Sequence, residues 1–165
     1  MIKGQGGFSY IWTLLLIAGL GISTTLSVEI ASTAARRDKE KELLAIGRQF
    51  RTALARYQAL TPGKPEYPES LEQLLRDDRL PGIRRHLRKI FIDPMTGKAQ
   101  WGLIRIGGRI VGIHSLSEQT PIKQDGFEAD FAPFRGKRHY TEWIFTYPSD
   151  ALILIESGIP PRITP

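Results

Sequence analysis

The chain has 165 residues and a mass of 18.6 kDa, enough for one domain beside an apolar segment and too little for a large two-domain enzyme. It contains no cysteine, which excludes disulfides, thiol nucleophiles and thiolate metal sites. Lys and Arg total 23 against 17 Asp and Glu, a formal net charge of +6; such a bias suits anionic partners, yet spread along a whole chain it more often serves solubility.

No charge interrupts the sequence between Lys3 and Glu29. A helix needs about 20 mostly apolar residues to cross a bilayer. Residues 8–30 are therefore expected to form a transmembrane helix, behind a short basic leader at 1–7 and ahead of an aqueous domain at 31–165. Two readings compete: a buried core helix, which would ordinarily be shorter and more amphipathic, and a cleaved secretory signal, with Thr33, Ala34 and Ala35 as the small residues at the cut. The apolar run is longer than the core of such a signal, and Glu29 breaks the approach to the cut.

The junction Gly6-Gly7-Phe8 sets a glycine and then a phenylalanine at the head of an apolar helix, after a basic leader. It resembles the class III signal of type IV pilins and type II secretion pseudopilins. The resemblance implies that a prepilin peptidase cuts after Gly7 and methylates Phe8. It implies a single-pass protein of the bacterial inner membrane with its C-terminal domain in the periplasm. Trp12, Leu16 and Leu20 would then lie on the helix surface used for assembly. The implied partners are other pilin-like subunits, the peptidase and an inner-membrane assembly platform.

Trp12 stands where the family usually has a glutamate. That glutamate is thought to pair with the terminal ammonium of a neighbouring subunit, inside lipid where either charge alone is costly. An indole offers only the weaker cation–π contact. Family members without the glutamate tend to sit at the filament tip, so a minor or tip position stands beside a shaft position. Arg36, Arg37, Lys39 and Lys41 follow the apolar run, and the positive-inside rule alone would leave the domain in the cytoplasm. The resemblance implies the opposite orientation and takes precedence.

No proline falls between Phe8 and Leu60, and Gly19, Gly21 and Gly47 are the only glycines there. One long helix is predicted, weakest at residues 19–25, where glycines and β-branched residues gather. Leu43, Ile46, Phe50, Leu54 and Tyr57 recur at steps of three and four, an apolar stripe on its second half. Arg48, Arg51 and Arg56 fall on the other side. Thr61-Pro62-Gly63-Lys64-Pro65 ends the helix.

Tyr67-Pro68-Glu69-Ser70-Leu71 through Leu75 predicts a short helix. The string is also similar to the segment that follows the long helix in pseudopilins. The basic run Arg84 to Lys89 has no interleaved aromatic platform, so it reads as a solvated face, not a nucleic-acid surface. Asp93-Pro94-Met95-Thr96-Gly97-Lys98 predicts a turn and resembles the Asp-Pro turn before the first pseudopilin strand. Strands are expected around Trp101 to Ile106 and Arg109 to Leu116, joined at Gly107-Gly108. A third is expected through Trp143, Phe145 and Tyr147, and a fourth strand or a docked tail at Ala151 to Ile155.

Residues 118–140 read as a long polar loop carrying Asp125, Glu128 and Asp130. Major pseudopilins hold calcium in a comparable loop, and hard oxygen ligands suit that ion. The spacing is no EF-hand, and three loop acids are usually just solvated, so either calcium or no cofactor is compatible with the loop. His86, His114 and His139 form no metal or protease spacing, and neither a nucleophile elbow nor a phosphate loop occurs. Asp77 with Asp78, or Glu69 with Glu72, reads as solvated surface acid. No enzyme is expected.

The expected fold is α+β and pilin-like: a long N-terminal helix, membrane-spanning in its first half, whose second half packs on a small antiparallel sheet. The expected function is a structural pseudopilin-type subunit. The alternative is a non-assembling, membrane-tethered periplasmic binding domain for an anionic partner.

Overall fold

Helix α1 runs from Gly6 to Ala59, 54 residues without a break, as the absence of proline predicts. The computed structural model describes residues 6–60, 66–79, 81–82 and 84–149, and for residues 6–8 and 18–31 the backbone alone. The helical backbone continues through 19–25, and the side chains there lie outside the described residues. Among the described residues, no helix is long and apolar enough to cross a membrane. Most of the predicted span at 8–30, including Leu20, has its side chains outside that set. The chain divides into two compact units, Met1–Asp38 and Lys39–Pro165.

The second unit is a mixed helix and sheet structure. Its three-stranded antiparallel sheet has the order β1-β2-β3, from β1 at Gly102–Ile106, β2 at Arg109–His114 and β3 at Phe145–Thr146. Gly107 and Gly108 turn the hairpin with φ of 55° and 81°, values that a side chain disfavours and a two-residue hairpin needs. β1 and β2 pair from Gly102 with His114 to Ile106 with Arg109, with one irregularity between Ile104 and Arg105. β2 is the central strand, and Ile110, Val111 and Ile113 are fully buried on it.

The apolar stripe of α1 does what its period predicts. Leu43, Ile46, Phe50, Leu54 and Tyr57 are all buried in the core. Phe50 meets Trp101 at 5.4 Å and Phe91 at 6.2 Å between ring centroids. At Gly47 the helix approaches the sheet so closely that a Cβ would overlap the ring of Phe145. Alanine there gains roughly 1 kcal/mol of helix propensity but overpacks a core where insertions cost about 1–3 kcal/mol. Phe145 cannot withdraw, being itself wedged against Phe131 and Phe134. Gly47→Ala is therefore expected to destabilise the protein by about 1 kcal/mol net, read as a lower urea midpoint with an unchanged slope. A higher midpoint would mean that Phe145 has room to move.

Three expectations need correction. The third strand is only two residues long, because Tyr140–Glu142 forms a 3-10 helix that Trp143 closes by donating its amide to the Tyr140 carbonyl at 3.0 Å. The helix expected over Tyr67–Leu75 is a single turn, α2, at Glu72–Leu75. The segment 118–140 is not simply a polar loop. It holds a 3-10 helix at Ala129–Phe134 and buries Phe131 and Phe134. Phe134 stacks on Trp143 with centroids 5.4 Å apart, and Phe127 meets the same indole edge-on at 5.5 Å. The fourth strand expected at 151–155 lies outside the described residues.

Candidate functional site

Three regions carried candidate functional residues. The first is the N-terminal part of α1. Tyr10, Ile11, Trp12, Leu14, Leu15, Leu16 and Ile17 are 49% to 66% exposed. These residues make a helix segment apolar on every side, unlike the single stripe at 43–57. Trp12 and Leu16 are thus solvent-facing within this chain. Side chains of Gly7, Phe8 and Leu20 lie outside the described residues, although α1 includes all three positions.

The second is the acidic segment proposed for calcium. The structure does not bring its carboxylates together. Asp125 accepts from Arg135 Nε at 2.8 Å and from the Gly126 amide at 2.6 Å. That amide first, and Arg135 second, hold its carboxyl below the usual range. Glu128 pairs with Arg48 at 2.6 Å, and Asp130 uses its backbone carbonyl to receive Arg51. Among the described residues, no group of three or more His, Asp or Glu side chains is placed to hold a metal ion. The same contacts give two arginines on the polar side of the helix a partner. The guanidinium carbons of Arg48 and Arg51 lie 5.2 Å and 5.7 Å from the centre of the Phe131 ring. They hold segment 128–131 against α1.

The third region surrounds Asp77, read from sequence as a solvated acid. It is 1% exposed. Its oxygens accept from Arg79 Nε at 2.9 Å and Nη2 at 2.7 Å, and the second oxygen meets His86 Nε2 at 2.9 Å. The two-pronged hydrogen bond from Arg79 holds the Asp77 carboxyl far below the usual carboxylate range, against the opposing push of burial, with His86 helping. Arg79 also lies 3.5 Å above the Tyr57 ring and donates to the Tyr57 carbonyl at 2.7 Å. Burial pushes the Tyr57 phenol up, opposed by Arg79.

This cluster fixes the basic run. The Asp77 amide donates to the Arg84 carbonyl at 2.9 Å, and the amides of His86 and Leu87 both reach the Leu74 carbonyl. Residues 84–87 are thereby doubled back onto α2. Leu87 and the His86 ring turn inward, while Arg84, Arg85 and Arg88 stay exposed. Of the other histidines, His114 contacts the Ser115 carbonyl and His139 the Glu118 carbonyl. The three imidazoles serve separate local structures.

Two buried acids were not singled out by sequence. Glu40, within the charged run Arg36–Glu42, is 3% exposed and receives the Ile122 amide, the Lys123 amide and the Tyr140 hydroxyl. Asp93 is fully buried beneath the predicted turn, where it receives the Met95 amide, Thr96 Oγ1 and Ser115 Oγ. No protein-family model, curated protein or solved structure matches this chain.

Proposed function

We propose that this chain is a structural subunit of a pseudopilin-type periplasmic filament, one that serves type II secretion or type IV pilus assembly. The observation that carries the reading is the contrast within one helix. Residues 10–17 of α1 expose large apolar side chains all round, whereas residues 43–57 bury a single stripe in a small α+β core. An apolar surface of that extent is stable only when covered by lipid or by other helices. A subunit that waits in the inner membrane and then bundles its helix with neighbours meets both conditions in turn.

In this reading the peptidase removes residues 1–7, Phe8 becomes the methylated terminus, and the domain after α1's apolar part is periplasmic. Trp12 in place of glutamate removes the anion that would receive a neighbour's ammonium, which favours a minor or tip position.

The test is intact-mass and N-terminal peptide analysis of the membrane-extracted chain, produced with and without a prepilin peptidase. The expected result is a chain beginning at N-methylated Phe8 only when the peptidase is present, and loss of that product in Gly7→Leu. An uncut Met1 start in both cases would overturn the filament reading in favour of a membrane-tethered domain. A start near Arg36 would mean that the apolar run is a removable signal.

A further inference from the structure

We infer that the face formed by α1 and the doubled-back segment 84–88 is a docking groove for an extended acidic segment of a partner protein. Two clefts lie side by side on this face. Arg56, Arg84, Arg85 and His86 line one of about 700 Å³. Arg48, Arg56, His86 and Arg88 line the next, of about 360 Å³. The clefts share Arg56 and His86, and among the described residues neither has a carboxylate in its lining.

Charge at this place is uncompensated. Arg48 is paired with Glu128 and forms one end of the groove. Among the described residues, the guanidinium groups of Arg56, Arg84, Arg85 and Arg88 have no hydrogen bond or ion pair. Several arginines elsewhere are paired, Arg76 with Asp78, Arg109 with Glu69 and Arg135 with Asp125, but among the described residues no other cleft gathers four that are not. Four unpaired guanidiniums held around one fixed histidine are a forked-donor surface suited to carboxylates.

Shape selects among anions. The lining runs along α1 from Ala45 to Ala59, about 21 Å at 1.5 Å per residue. That length takes about six or seven residues of extended peptide at roughly 3.3 Å each, far more than a lone phosphate. Among the described residues, no aromatic side chain lines either cleft to stack nucleic-acid bases. Among the described residues, Asp78, Glu69, Glu128 and Asp125 are engaged within their own chain, and the exposed Glu42, Glu118 and Asp130 lie far apart in sequence, so a second copy offers no extended acidic run. The groove is present in the single chain, whether or not it polymerises.

The test uses the full-length chain in an uncharged detergent and follows the fluorescence anisotropy of a labelled seven-residue peptide of Glu, Asp and Gly, a length set by the estimate of about seven residues. Its Gln/Asn/Gly counterpart, an oligothymidylate and vesicles containing anionic lipid serve as competitors. The acidic peptide is expected to bind, and the neutral one not to. Arg84→Gln/Arg88→Gln should weaken binding at least about tenfold, with steep salt dependence. The charge-matched pair Arg37→Gln/Arg138→Gln, also without ion-pair partners among the described residues, should weaken it less than about twofold. Equal losses in the two pairs would reduce the effect to net charge and overturn the groove. So would failure of the acidic peptide to bind above the neutral one, or stronger binding of the oligonucleotide or vesicles. Because the substituted arginines are exposed, an unchanged melting profile establishes that each variant is folded. A chain left uncut by the peptidase but still binding the peptide would refute the filament reading while leaving this one standing.

Discussion

Replacing Asp77 by alanine is expected to cost about 3–5 kcal/mol of stability, the usual loss when one member of a buried charged pair is removed. The reason lies in what stays behind. The side chains of Arg79 and His86 are only 21% and 7% exposed. Arg79 cannot swing out to water without also giving up the Tyr57 carbonyl and the ring beneath it. The orphaned guanidinium is thus held in a site that no longer compensates it. Asp77 also anchors the loop through the Arg79 amide at 3.1 Å, so its loss loosens the turn that returns residues 84–87 to α2. In a domain of this size the melting temperature should fall by roughly 10–20 °C. Asp77→Asn keeps the shape and part of the hydrogen bonding, and should lose less than alanine. A loss under about 1 kcal/mol for alanine would place the cluster among ordinary surface pairs.

The same cluster predicts a pH dependence. The folded-state pKa of Asp77 is lowered by Arg79 and then His86, so folding favours its ionised form. That contribution is complete above the unfolded carboxylate pKa of about 3.9 and is lost as pH falls through the folded value. The stability difference between wild type and Asp77→Asn should shrink as pH falls below about 4. A difference that instead grew below about pH 4 would reverse the sign and refute the assignment.

What the sequence discloses, and what it hides, follows from how far apart the interacting residues lie. The α1 stripe from Leu43 to Tyr57 is written in a local period, and all five predicted positions are buried. The Gly107-Gly108 hairpin and the Asp93 turn are likewise local, and both form. Asp77 and His86 are nine apart in sequence, and Glu40 and Tyr140 are 100 apart. No local pattern marks these as partners, so acids in charged neighbourhoods read as solvated. Phe127, Phe131 and Phe134 were legible in principle, since their steps of four and three are helical. The charges around them, Asp125, Glu128, Asp130 and Arg135, gave the segment the look of a surface loop. Glu128 is spent on Arg48 and Asp125 on Arg135, Asp130 stays exposed, and the aromatics face inward.

Glu40→Ala is expected to cost about 3 kcal/mol, from the loss of a buried acceptor that serves several donors. One oxygen of Glu40 receives the Ile122 amide at 2.6 Å, the Lys123 amide at 3.2 Å and the Tyr140 hydroxyl at 2.8 Å. Both backbone donors are only part-buried and can turn to water once the carboxylate is gone. The Tyr140 hydroxyl has less choice, because Tyr140 is fully buried and its ring is packed against Trp143 at 5.3 Å. Glu40→Gln retains a side-chain carbonyl and should lose about 1–2 kcal/mol, the share owed to the charge. The damage should also be local. Hydrogen exchange at Ile122 and Lys123 should accelerate more than at the β2 amides, and fluorescence from the aromatic cluster should change before global unfolding. A double-mutant cycle of Glu40→Ala with Tyr140→Phe isolates the contact, with a coupling of about 1–2 kcal/mol expected. Strict additivity would show that the hydrogen bond contributes nothing. Glu40 lies just past the first unit, which ends at Asp38, and among the described residues it is the first buried one ahead of the Leu43–Tyr57 stripe. In the proposed filament reading, such a residue gives the helix a fixed point at which its own domain begins. If the filament reading holds, loosening Glu40 should impair filament incorporation while leaving removal of residues 1–7 intact.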